Sequence, residues 1–286
     1  MRFGVRVSFL GMKKNKETTH VAAAYDSIAG RYDHTVDPFY LTNYEEYDRL
    51  LDRWLQCGPF GRALDAGCGS GIQTAHLAGA AAQVVGLDIS QGLLRIAAEK
   101  LQAHANVNLV AADLARVPLQ SGVFDAVISY GDVVSHIPDY KAALAEIARV
   151  AREGAVVSVE VDNKWYFGLF YKPAELWRAC TRFGGHFRIW GWTDDDGQPV
   201  AMRFRTFTRR ELSFFFRSHG LEPLEFYGLN ILKCLLPEGV LYQKPPFTMA
   251  GRVAVWLGRL DHCLATRFPW NRLGFNVVVT ARKRRA

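Results

Sequence analysis

The run Leu64-Asp65-Ala66-Gly67-Cys68-Gly69-Ser70-Gly71 constrains this chain more than any other segment: a short apolar stretch with an acid, then glycine at every second position. Glycine leaves no side chain between backbone and ligand, so such a bend presents free N–H groups of a helix N-terminus to a bound polar group. It demands a strand before it and a helix after it, the opening unit of a parallel sheet with crossover helices. The following pattern agrees. Runs at 63–65, 83–88, 107–111, 124–129 and 155–161 read as strands buried on both faces, alternating with helical stretches. Asp139 stands at the N-cap of a helix reaching Val150, with Leu144, Ile147 and Ala148 on one face, and Gly154 closes that unit. Thr208-Arg209-Arg210-Glu211 has capping-box spacing and opens a helix that stops near Gly220, and strands follow at 224–229 and 275–281.

The ligand of the bend can be narrowed by elimination. A dinucleotide fingerprint starting at Gly67 needs Gly or Ala at position 72, where this chain has Ile72. A Walker A loop needs Lys after its last glycine, and Ile72 follows Gly71. Asp65 at the tip of the first strand repels a pyrophosphate and suits a ligand with an ammonium group. Asp88 ends the second strand, where a carboxylate accepts both hydroxyls of a ribose, and Asp113 follows the third, where it accepts from the exocyclic amine of adenine. Successive parallel strand ends lie side by side, so the three acids predict one adenosine-shaped groove with an amino-acid pocket at one end.

On these residues the chain resembles the class I S-adenosylmethionine-dependent methyltransferases, of the small-molecule, type 11-like group, over about residues 21–161 and the final strands. The resemblance implies an α/β fold, a Rossmann-like seven-stranded, mostly parallel sheet with helices on both faces, to which this chain's own helical, aromatic insertions add what reads as a lid. It maps the methionine-end loop to Asp65, Gly67, Cys68, Gly69 and Gly71, the ribose to Asp88 with Ile89, and the adenine to Asp113 with Leu114. Ser129 and Tyr130, in the 124–132 run F-D-A-V-I-S-Y-G-D, map to the exit of the fourth strand under the donor methyl group. Tyr25 and Tyr32, in the 25–33 run, are similar to an N-terminal helix that caps the cofactor; packing against the sheet is the other reading. S-adenosylmethionine is then the cofactor and S-adenosylhomocysteine its product. Should the acceptor need to lose a proton, His136 and Asp132 are the candidates, against a plain packing role for the histidine and a turn-capping role for the acid.

The rest of the chain bears on the acceptor. With 49% apolar and 22% charged residues it is an ordinary globular chain, and no apolar stretch reaches the ~18 residues of a membrane span. Its opening is too short in apolar centre for a secretory signal, so the expected location is cytoplasmic, or peripheral at a membrane. Five widely spaced cysteines without a C-x-x-C pair predict reduced thiols and no metal. Residues 1–17 carry five basic and one acidic side chain, and Arg282, Lys283, Arg284 and Arg285 end the chain, so both ends read as solvated arms. Between them, 18–164 has 11 basic and 18 acidic residues, whereas 165–281 has 15 and 9, and 23 of the 36 aromatics follow residue 164. The layout is a basic arm at 1–20 and one domain at 21–286 with insertions at about 163–205 and 231–272.

Insertions longer than ~15 residues usually serve a site. The first holds Trp165, Tyr166 and Phe170, with Trp177, Trp190 and Trp192 beyond, too aromatic for a solvated loop. Trp165, Tyr166, Phe170 and Tyr227 are the expected acceptor contacts. The expected partner is a small apolar or aromatic metabolite, methylated at O, N or C by direct displacement. The alternatives are a membrane-borne quinone or lipid-like acceptor met through the basic, aromatic C-terminal half, or RNA. The N-P-P-Y of base-specific members has no counterpart at Ser129-Tyr130-Gly131-Asp132, which disfavours nucleic acid, and Ile72 disfavours a nicotinamide oxidoreductase. No pattern in the chain speaks to oligomeric state.

Overall fold

A computed structural model describes residues 6–9, 16–34, 37–55, 60–193 and 197–285. The described residues form ten strands: β1 (Arg6–Phe9), β2 (Phe60–Ala66), β3 (Ala81–Asp88), β4 (Val107–Ala111), β5 (Phe124–Ser129), β6 (Ala151–Asp162), β7 (Phe187–Thr193), β8 (Pro199–Arg205), β9 (Leu221–Leu229) and β10 (Asn276–Lys283). The helices are α1 (Lys16–Asp26), α2 (Pro38–Leu55), α3 (Ile72–Ala78), α4 (Gln91–Lys100), α5 (Val133–His136), α6 (Tyr140–Val150), α7 (Pro173–Thr181), α8 (Arg209–Ser218), α9 (Glu238–Leu241) and α10 (Met249–Leu264).

The main sheet runs β1-β4-β3-β2-β5-β6-β10-β9, parallel except where β10 pairs antiparallel with both neighbours. Seven strands are the α/β sheet predicted from the sequence. The eighth, β1, comes from the basic arm: Arg6 to Phe9 pair with Asn108 to Ala111, so part of the arm is not solvated. A free edge of β4 offers unpaired backbone groups, and any nearby extended segment satisfies them. The basic tail is likewise partly docked, since Lys283 Nζ donates to Ala148 O at 3.0 Å and His219 O at 2.9 Å, and Arg284 pairs with Glu222.

The strand order reverses at β2, with β3 and β4 on one side and β5 and β6 on the other, which opens a crevice beyond their carboxyl ends. Both faces are covered, as runs of buried Val, Leu and Ala require. One face packs Ala143, Leu144 and Ile147 of α6 and Leu212 and Phe216 of α8, and the other Tyr47, Leu50 and Leu51 of α2, Leu77 of α3 and Leu94 of α4. The predicted caps form: Asp139 accepts from Ala142 N at 3.2 Å, and Thr208 and Glu211 make the reciprocal box. Gly154 does not close its unit. It lies inside β6, where a register shift against β5 absorbs it. The first insertion is α7 and the β7–β8 hairpin, and the second is α9 and α10. No helix among the described residues is long and apolar enough to cross a membrane.

Candidate active site

The bend after β2 uses backbone that only glycine adopts cheaply. Gly67 has φ +92°, and a Cβ there would collide with both methyl groups of Val133. Gly71, at φ +83°, is the N-cap of α3, and a Cβ would stand 2.8 Å from Leu101 Cδ1. The bend is fastened to the next strand. Gly69 N donates to Asp88 Oδ2 at 2.8 Å and Ser90 N to Oδ1 at 2.8 Å, while burial raises the carboxyl's pKa against these bonds.

Beyond it lies a cleft open to solvent. Its floor comes from successive strand ends: Gly67 and Gly69 after β2, Asp88 and Ile89 after β3, Asp113 and Leu114 after β4, Tyr130 and Gly131 after β5. Asp113 accepts from Ala115 N at 2.9 Å and Thr18 Oγ1 at 3.4 Å. The cover is α1 and the turn after it, with Thr18, Val21, Tyr25 and Tyr32 lining the cleft. Two acids latch it. Asp26 Oδ1 accepts from Ser90 Oγ at 2.6 Å and Gly92 N at 2.8 Å, and Asp33 accepts from Ser70 Oγ and pairs with Lys100 Nζ at 2.8 Å. Thr18, Val21 and Tyr25 follow helical spacing, so the sequence held a signal for the first two that the tyrosines alone did not use.

Past Gly131 the wall changes character. Tyr130 Oη donates to Ser158 Oγ at 2.8 Å, and its ring lies 5.1 Å from Tyr47. Gly131 N donates to Glu160 Oε2 at 2.6 Å, which also accepts from Tyr47 Oη at 2.6 Å, while the buried Oε1 has no partner among the described residues. Asp132, at φ +58°, takes both its bonds from Asn276 Nδ2, at 2.8 and 2.9 Å. Burial raises all three carboxyls of this cluster. Asp162 is pushed up to about 8, with Arg188 opposing the rise and Glu160 adding to it, and Asp132 is pushed well above the carboxylate range, Asp162 and Glu160 adding to burial. Few donors serve these three acids, so burial is only partly offset.

His136, at the end of α5, lines the same end of the cleft. It is 9% exposed, its Nδ1 is buried without a hydrogen-bond partner among the described residues, and burial lowers its pKa to about 4. Its ring meets Tyr25 edge-on at 6.2 Å and Phe204 of β8 at 6.0 Å. The imidazole is neutral at physiological pH. Among the described residues no group of three or more His, Cys, Asp and Glu is arranged to hold a metal ion.

The remaining predicted residues lie elsewhere. Asp65 does not face the groove; it sits beneath the bend, 2% exposed, pushed up to about 7 by burial while Thr74 Oγ1, donating at 2.6 Å, opposes the rise. Cys68 is buried against Gly86, and Ser129 Oγ ties β5 to β2 through Ala66 O at 2.8 Å. None of the four expected acceptor contacts lines the cleft. Trp165 and Phe170 are 40% and 66% exposed, Tyr166 Oη donates to Glu175 at 2.9 Å, and Tyr227 Oη bonds Glu46 and His262 behind α2. From the first insertion it is β8, through Phe204, that reaches this end.

The family model of the methyltransferase domain matches residues 64–159, the stretch from the bend through β6. A demethylmenaquinone methyltransferase of Mycolicibacterium vanbaalenii is 37% identical over 161 residues, covering 55% of this chain and 68% of the relative. The chain belongs to the class I S-adenosylmethionine-dependent methyltransferases. S-adenosylmethionine is therefore this methyltransferase's methyl donor and S-adenosylhomocysteine the product. A demethylmenaquinone methyltransferase of Bacillus licheniformis aligns over more of the methyltransferase, 76% of it and 94% of the relative, at 26% identity. The fold is shared with the 1,6-didemethyltoxoflavin-N1-methyltransferase of Burkholderia thailandensis, solved with S-adenosylhomocysteine, at TM-score 0.55, 16% identity, and 96% and 94% coverage of the two chains.

Proposed function

We propose that this methyltransferase methylates a small aromatic acceptor of the quinone-precursor class, at a ring carbon or ring oxygen. The donor supplies a methyl group on a sulfonium, already activated for displacement, so the protein's work is alignment and exclusion of water. Asp88 would hold the ribose and Asp113 the adenine, with Ile89 and Leu114 as apolar walls. The bare backbone of Gly67 and Gly69 would meet the methionine end, and Asp65, Cys68, Gly71 and Ser129 set the shape of the bend. Tyr25 and Tyr32 would close over the donor.

The acceptor reading rests on one observation, the neutral side chain of His136 lining the far end of the cleft. A neutral imidazole nitrogen accepts a hydrogen bond from a ring hydroxyl, which orients the ring and raises its electron density toward the methyl group. The buried carboxyls of Asp132, Glu160 and Asp162 behind Gly131, all raised by burial, stand at the same end of the cleft. The demethylmenaquinone methyltransferases among the relatives favour a quinone-type ring. Turnover of labelled donor against quinols, phenols and amines tests this. Methylation of a quinol or phenol that falls at least tenfold in His136→Leu supports it, and turnover with amines alone overturns it.

A membrane-borne acceptor is the finer reading. Tyr171, Trp177 and Phe170 are 74%, 71% and 66% exposed and stand among Lys172 and Arg178, as a peripheral membrane contact would need. Nucleic acid is disfavoured.

A further inference from the structure

Helix α10 is inverted relative to an ordinary surface helix. Its buried side is small: Gly251, Ala254 and Gly258, with Asp261, whose carboxyl accepts from Leu232 N at 2.7 Å. A Cβ on Gly258 would stand 2.6 Å from Thr42 Oγ1 of α2, so small residues are what the close approach allows. The large apolar side chains point the other way. Met249, Val253, Trp256 and Leu260, spaced i, i+4, i+7 and i+11, form one stripe that is 74%, 42%, 59% and 36% exposed, and Phe268 beyond the helix is 72% exposed. A surface helix normally turns such a stripe to the core. Exposed contiguous apolar surface of this kind marks a contact with something apolar.

The charge around the stripe says what that something is. From residue 239 to the C-terminus the sequence has nine basic side chains and one acid, the buried Asp261. Arg252 and Arg259 lie one position before Val253 and Leu260, along one flank of the stripe, and Lys244 and Arg267 bracket the helix. Arg259 pairs with Glu45 at 2.8 Å; Lys244, Arg252 and Arg267 are all exposed. An apolar stripe with a large aromatic side chain, flanked by cations, is the composition of a helix lying in the plane of an anionic bilayer, its arginines reaching the headgroups.

We propose that the outward face of α10 docks the enzyme onto an anionic lipid bilayer. The helix is joined to the cleft wall through α2: Gly258 lies against Thr42, Tyr242 stands 5.4 Å ring to ring from Phe39, and Tyr47 of the same helix stacks 5.1 Å from Tyr130, which lines the cleft. An acceptor dissolved in the membrane would thus meet the enzyme on this side. The proposal deepens the reading of a membrane-borne acceptor and rests on it for its purpose, not for its surface chemistry.

The test is co-sedimentation of the full chain with vesicles of phosphatidylcholine, with and without phosphatidylglycerol. The wild-type enzyme should sediment with the anionic vesicles only and be released by high salt. Trp256→Glu and Leu260→Glu should each weaken that binding by about tenfold or more. Both should keep wild-type affinity for S-adenosylhomocysteine by calorimetry, which shows that they are folded. Equal binding by wild type and both variants, or no binding of the wild type at low salt, overturns the proposal. So does a concentration-dependent dimer in sedimentation velocity that Trp256→Glu dissolves, because the stripe is then a contact between copies. If the variants lose vesicle binding and no quinol or phenol is methylated, the acceptor reading fails and the docking surface stands.

Discussion

The amide of Gly69 and the carboxylate of Asp88 are joined by a 2.8 Å hydrogen bond that spans two strand ends. It fixes the bend against the acid, so the feature that would admit the donor's methionine end and the feature that would receive its ribose move as one piece. Asp88→Ala removes the acceptor of Gly69 N and of Ser90 N together with the proposed ribose contact. Hydrogen bonds to a charged group are worth about 1.5–3 kcal/mol, so affinity for S-adenosylhomocysteine should fall by about 10- to 100-fold in calorimetry. Undiminished affinity would take Asp88 out of the donor site.

The cover helix α1 reaches the scaffold through Asp26, which Ser90 Oγ and Gly92 N both bond. In Asp26→Ala the cover should open more often. Donor KM should rise by about tenfold with kcat changed less, and amide exchange across residues 16–34 should quicken. Exchange that stays as slow as in the wild type would mean that other contacts hold the cover.

Two separate costs fall on Gly67→Ala, the collision with Val133 and a φ of +92° that an L side chain rarely adopts. Adding Val133→Ala removes the two methyl contacts but keeps the Val133 Cβ, 2.9 Å from the added carbon, and leaves the backbone cost of about 1–3 kcal/mol in full. The double variant should therefore recover part of the lost thermal stability and none of the donor affinity. Full recovery of stability would show that the backbone at 67 tolerates a side chain.

His136 should make the fold acid-sensitive in a defined window. Its pKa is about 4 folded and 6.5 unexposed to burial, so between these values the unfolded chain binds more protons and stability rises with pH. The contribution is fully lost below about pH 4, complete above about pH 6.5, and at most ~3 kcal/mol. Denaturant unfolding at several pH values should show this slope in the wild type and a flatter one in His136→Gln. An equal slope in both would assign the acid sensitivity to other groups.

What could be read from the order of residues was whatever depends on neighbours along the chain. The glycine bend, the strand runs at 107–111 and 124–129 and the Thr208–Glu211 box rest on local backbone chemistry, and the folded chain keeps them in place. Asp65, Asp88 and Asp113 looked alike because each sits at or near a strand end. Only the path of the bend turns Asp65 under the loop toward Thr74 while Asp88 and Asp113 face the cleft.

The insertions were the least legible part. Aromatic content marked residues 165–192 as a surface that covers something, yet Tyr166 turns inward to Glu175 and Phe170 outward to solvent, because packing against Phe275 and the neighbouring loops selects which rings are buried.

By itself the sequence determined the parallel sheet and the chemistry at its carboxyl edge, since both follow from short-range rules of backbone freedom and strand periodicity. Tertiary structure alone decided which acids line the cleft, that β8 and not Trp165 reaches His136, and that α10 turns its large side chains outward. Those outcomes depend on which surfaces distant segments bring together: the close approach of Gly258 to Thr42 fixes one face of α10 against α2 and leaves the other to solvent.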